Sequence, residues 1–135
     1  MVRILVTSAV ATAVCLAGCG FGVSSADLFV IQRLGQGPPL RAVVNDGGTV
    51  TCGPRGARPL SGPLLLAARD LADELDKDVK TGVKFPARPA SVWHYRIALQ
   101  DGTLAFADTT AAAHPELARA ELLAAQLAAG PCANP

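Results

Sequence analysis

The alternation of residues 93–106 leaves little freedom to the fold. Trp93, Tyr95, Ile97 and Leu99 fall on one face of an extended chain, with His94, Arg96 and Ala98 on the other. Asp101-Gly102 then reverses the direction, and Leu104 and Phe106 alternate on the way back. Period-two patterning around such a turn is the signature of an antiparallel hairpin with one buried face, so something must cover that face. A two-residue Asp101-Gly102 loop predicts Leu99 opposite Leu104 and Ile97 opposite Phe106. A second hairpin is expected around Asn45-Asp46-Gly47-Gly48, between the runs Leu40–Val44 and Thr49–Cys52. With a loop at Asp46–Gly48, Val44 faces Val50 and Ala42 faces Cys52, which puts Cys52 on the apolar side. Leu28–Gln32 reads as an earlier strand, ended by Gly35-Gln36-Gly37-Pro38-Pro39.

What covers the sheet is helical. Leu64, Leu65, Ala68, Leu71, Ala72, Leu75 and Val79 recur at helical spacing, with Ser61 as N-cap, Pro63 in the first turn and Gly82 as the stop. The opposite face carries Arg69, Asp70, Asp73, Glu74, Lys77 and Asp78, and spacing of four predicts the pairs Arg69–Asp73 and Asp73–Lys77. Phe85-Pro86-Ala87-Arg88-Pro89 is an extended linker, because proline fixes φ and biases the residue before it away from helix. A second helix opens at Pro115-Glu116-Leu117 and runs to about Ala129, ended by Gly130-Pro131. The order β-β-β-α-β-β-α predicts an α+β domain, with an antiparallel sheet of about five strands and two helices packed on one face.

The first eighteen residues do not belong to that domain. After Met1-Val2-Arg3 the stretch Ile4–Ala17 carries no charge, which is an export-signal pattern, and it is shorter than the roughly 20 residues of a membrane span. It ends in Leu16-Ala17-Gly18-Cys19. These four residues resemble the lipobox of bacterial lipoproteins, where a branched apolar residue and two small residues precede a cysteine. The resemblance implies lipid on the Cys19 sulfur, cleavage between Gly18 and Cys19, and a mature protein anchored by acyl chains to the outer face of the bacterial plasma membrane. Each buried CH₂ contributes about 0.8 kcal/mol, so two or three chains hold firmly. The alternative is a secretory signal cut after a small residue, with no lipid. The division is thus residues 1–18 signal, 19–26 lipidated tether, and 27–135 a single domain.

Of the four cysteines, Cys15 leaves with the signal and Cys19 is alkylated. Cys52 and Cys132 remain, in a compartment where disulfides form and persist, and are expected to bond to each other. Two free buried thiols are the alternative.

Chemistry is sparse. Loss of Arg3 leaves eleven basic and eleven acidic side chains, so a nucleic-acid partner, which needs a basic excess or face, is not expected. The two histidines, His94 and His114, have no partners at a recurrent metal spacing. Asp70, Asp73, Glu74, Asp76 and Asp78 are spread round a helix and do not converge as calcium ligands do in a loop. No Gly-x-Ser-x-Gly elbow marks Ser61 or Ser91 as a nucleophile. No catalytic residue, metal or cofactor is assigned. The candidate binding surface comprises Arg55 and Arg58 in the Gly53–Gly62 loop, and Trp93 and Tyr95 as a stacking platform.

Two functions follow as expectations. One is a non-catalytic, surface-tethered binding or envelope-associated domain, with the membrane as one partner through Cys19 and an envelope protein or peptide as the other. It would use an exposed strand, the Gly53–Gly62 loop or the Phe85–Pro89 segment. The other is a peptidase inhibitor. Two strands, the segment Thr49-Val50-Thr51-Cys52-Gly53-Pro54, a Pro-rich loop and a Leu/Ala helix loosely resemble the bacterial subtilisin-inhibitor family over Leu28–Leu75. That family braces its reactive loop with cysteines, and this chain has none between Cys52 and Cys132, so no reactive bond carries over.

Overall fold

The structure, a computed structural model, describes residues 22–133. The signal residues Leu16, Ala17 and Gly18 and the lipidation residue Cys19 lie outside the described residues. The strands are β1 (Asp27–Gly35), β2 (Leu40–Asn45), β3 (Thr49–Cys52), β4 (Arg58–Pro59), β5 (Trp93–Leu99) and β6 (Gly102–Ala107). The helices are α1 (Gly62–Thr81), α2 (Asp108–Ala111) and α3 (Pro115–Ala129). All strand pairings are antiparallel, in the order β4-β3-β2-β1-β5-β6. The fold is therefore α+β, with β1 joining the two hairpins and α1 carrying the chain from the β4 edge across to β5.

Phe29, Ile31, Val44, Val50, Ile97, Leu104 and Phe106 from the sheet form one core with Leu71 and Leu75 of α1 and Leu117, Leu123 and Leu127 of α3. Helix α1 begins as its sequence demands. Ser61 is the N-cap, its hydroxyl accepting from the Leu64 N–H at 3.4 Å, and Gly82 closes the helix with its N–H directed at the Asp78 and Val79 carbonyls. Among the described residues no helix is long and apolar enough to cross a membrane.

The β2–β3 register is the expected one, Ala42 opposite Cys52 and Val44 opposite Val50. The β5–β6 register differs from expectation by two residues. Ile97 faces Leu104, Tyr95 faces Phe106 and Leu99 faces Gly102, so the turn is Gln100-Asp101. Gly102 is held beneath α1, where a Cβ would stand 2.7 Å from the Val79 methyl, while Asp101 pairs with Lys80 at 3.1 Å. Helix packing, absent from a hairpin read in isolation, thus selects the register. A slip of two keeps every side chain on its own face, which is why the buried set is unchanged.

The expected helix-face pairs are also replaced. Arg69 reaches the carboxylate of Asp46 in the β2–β3 turn at 2.7 Å, Lys80 pairs with Asp76 as well as Asp101, and Glu74 pairs with Arg119 of α3. Arg69 and Glu74 thus find partners on other elements, while Lys80 keeps one, Asp76, on its own helix. The two elements beyond the expected order are short: β4 pairs through Arg58 and Pro59 at the sheet edge, where a missing N–H is tolerated, and α2 follows β6 directly.

Candidate functional site

Between α1 and β5 the chain crosses the surface as a segment without helix or strand, 83–92, with a turn at Pro89-Ala90, and its local chemistry explains why it holds a shape. Pro86 and Pro89 restrict their own φ and that of the residues before them. Phe85 is buried and meets His114 edge-on at 5.1 Å, which roots one end in the core. Trp93 roots the other, its ring 4.4 Å from the guanidinium carbon of Arg33. The backbone at Gly37 lies so close to that ring that a Cβ there would stand 2.4 Å from it, so the Gly35-Gln36-Gly37 turn can pass only without a side chain at Gly37. Between these roots Pro86, Ala87, Arg88, Pro89 and Ala90 are all exposed, and Ala90 takes a left-handed φ of 66°.

The exposed stretch is braced from beneath by three consecutive residues, Asp108, Thr109 and Thr110. The Thr110 hydroxyl, in a residue only 3% exposed, donates to the Pro86 carbonyl at 2.9 Å. Ser91 donates its hydroxyl to the Arg88 carbonyl at 2.8 Å and shares a 2.7 Å hydrogen bond with the Thr109 hydroxyl. The Asp108 carboxylate accepts from the N–H groups of Val92 at 3.1 Å, Trp93 at 3.3 Å and Thr109 at 2.8 Å. Partial burial pushes the Asp108 carboxyl up, but these three backbone donors outweigh it and hold its pKa below the usual carboxylate value. The result is a braced, outward-facing peptide with exposed side chains at residues 86–90.

The residues expected to form a binding surface are placed differently. Tyr95 is buried and stacked on Phe106, with ring centroids 4.9 Å apart. Burial, with the neighbouring Glu121 carboxylate adding to it, pushes the Tyr95 phenol up to about 12. Tyr95 therefore offers no stacking platform, and Trp93, beside it, is partly covered by Arg33. Arg55 donates from both terminal nitrogens to the carbonyls of Ala133 and Cys132, each at 2.8 Å, and Arg58 donates to that of Pro131 at 3.2 Å. The two arginines of the Gly53–Gly62 loop clamp the end of the chain. They do so beside the disulfide Cys52–Cys132, whose Cα atoms are 5.5 Å apart and which ties β3 to the segment after α3.

His94 is exposed on its strand, while His114 lies 3.4 Å from the Glu116 carboxylate as well as against Phe85. Among the described residues no group of His, Cys, Asp and Glu could hold a metal ion. The brace of Asp108-Thr109-Thr110 and Ser91 was not singled out from sequence. Its only signal there is a run of short hydrogen-bonding side chains at a strand end, which reads equally well as a turn.

Comparison with known proteins identifies no match: no protein-family model, no curated protein and no solved structure is similar to this chain.

Proposed function

We propose that this chain is a lipoprotein of the bacterial cell envelope, tethered to the membrane through Cys19, whose domain binds a protein partner through residues 86–92. The membrane half of this reading rests on Leu16-Ala17-Gly18-Cys19 at the end of an uncharged apolar run. The binding half rests on one observation, the bracing of an exposed segment by Asp108, Thr109, Thr110 and Ser91. A loop ordered before it meets a partner loses less entropy on association, so its binding energy is retained as affinity. The test has two arms. Cys19→Ala should abolish incorporation of labelled fatty acid, and unaltered labelling rejects the anchor. A photo-crosslinker at position 88 in intact cells should trap a discrete partner that a crosslinker at exposed Thr103 does not; identical products at both positions reject the surface.

A second reading, peptidase inhibition, is favoured by the shape of the same segment. Inhibitors that bind as substrates do must present an exposed peptide and keep it from relaxing, and here the carbonyls of Pro86 and Arg88 are held while Ala87 and Arg88, ahead of the Pro89-Ala90 turn, are exposed. Assays against subtilisin-type and trypsin-type peptidases separate the two readings. Stoichiometric inhibition lost on Arg88→Asp selects the inhibitor, and no inhibition of either class leaves a non-inhibitory partner.

A further inference from the structure

A second feature lies apart from the braced segment in its lining and independent of that reading. A cavity of about 930 Å³ opens where the β1–β2 turn, the residues after β3 and the last turn of α3 meet. That volume is within the roughly 300–1,000 Å³ usual for small-molecule sites. Its wall has two chemistries. Leu34, Pro38, Pro39 and Leu40 with the small side chains of Ala125 and Ala129 make it apolar, and Arg33, Arg41 and Arg55 are among its lining residues, Arg33 sharing the helix-covered face of the sheet with Leu40 and Arg41 lying on the opposite face. No Asp or Glu is among its lining residues. In a chain of formal net charge +1 this local excess is not a reflection of overall charge.

Two of these guanidinium groups, those of Arg55 and Arg33, are positioned. Arg55 is fixed by the carbonyls of Cys132 and Ala133. Arg33 is held over Trp93, and its Nε is buried with no hydrogen-bond partner among the described residues. Positive groups in a cleft with low-dielectric walls focus their field on whatever enters, and the guanidinium fork matches a carboxylate or phosphate.

We propose that this cavity binds an amphiphilic oxyanion, a small molecule in which a carboxylate or phosphate is joined to an aliphatic body. The anionic end would lie toward Arg33 and Arg55, and the aliphatic part against the prolines and the alanines of α3. Trp93 is the single tryptophan of the chain and stands under Arg33, so its fluorescence reports on the site.

The full chain is titrated with dodecanoate, dodecyl phosphate, dodecanol and inorganic phosphate, each amphiphile below its micellar concentration. A saturable Trp93 response is expected for the anionic amphiphiles. Response to dodecanoate alone points to a fatty carboxylate, to dodecyl phosphate alone to a lipid phosphate, and either supports the site. Arg33→Gln should weaken binding by about tenfold or more, as loss of a charge-assisted hydrogen bond does. Ala125→Phe, at an exposed position lining the cavity, should weaken both anions without unfolding the chain, and decides the matter if Arg33→Gln does not fold. The proposal is overturned if neither anion saturates, if dodecanol or inorganic phosphate binds as tightly as the anionic amphiphiles, or if Ala125→Phe leaves their affinity unchanged.

Discussion

Asp108 shows how one side chain can order a surface segment. Its carboxylate receives the N–H groups of Val92, Trp93 and Thr109, and those bonds hold its pKa below the unfolded value. A carboxyl whose pKa is depressed on folding contributes stability that is fully present above the unfolded pKa of about 3.9 and is lost as pH falls through the folded pKa. Amide exchange at Val92 and Trp93 should therefore be slow at neutral pH and accelerate below about pH 4, relative to the intrinsic rates. Asp108→Ala should remove the pH dependence and destabilise the domain by about 1–2 kcal/mol, the scale of a partly exposed charge-assisted hydrogen bond. Exchange at these two amides that is unchanged in the variant counts against the brace. Sequence inspection identified Phe85–Pro89 as an extended linker from its prolines but not what stiffens it. Asp108 is sixteen residues from Val92, and nothing local announces that contact.

At the scale of elements, periodicity was a reliable guide to which face is buried and a poor one to which residue lies opposite. Ile97 and Leu104 are buried as the alternation requires, yet they face each other because Gly102 packs beneath Val79 as the first residue of β6 and the two-residue turn moves back to Gln100-Asp101. Ile97 is fully buried in the middle of the sheet, so Ile97→Ala should cost about 2–5 kcal/mol through lost burial and the cavity left behind. Chemical denaturation measures this, and a loss under about half a kcal/mol, the scale of a surface substitution, would show that position 97 is not core. The boundaries of α1 were equally legible, since Ser61, Pro63 and Gly82 act within their own turns. Its ion pairs were not, because Arg69 and Glu74 find partners on the β2–β3 turn and on α3.

For the molecule as a whole, the disulfide is the main covalent constraint on the described chain. It closes a loop with a sequence separation of 80, joining β3 to the end of α3. The chain-entropy account gives about 4–5 kcal/mol for a loop of that length, less whatever structure the unfolded chain retains. Denatured, unreduced mature protein should show no reactive thiol at Cys52 or Cys132, and Cys132→Ala should lower the unfolding midpoint markedly while leaving the sheet formed. Two titratable thiols would contradict the bridge. The pairing was reachable from sequence because the expected loss of Cys15 and lipidation of Cys19 leave two candidates, and the β2–β3 register placed Cys52 on the covered face. The five longer strands, the two long helices, the buried face of each and this one bond follow from sequence because they depend on periodicity, local turn chemistry and the expected fate of Cys15 and Cys19, whereas the short β4 and α2 do not. The strand order, the β5–β6 register, the clamp of Arg55 and Arg58 on the chain end, the burial of Tyr95 and the brace beneath residues 86–92 were decided only in three dimensions. Each joins residues far apart in the chain through contacts whose free energy depends on packing, and packing has no local sequence signature.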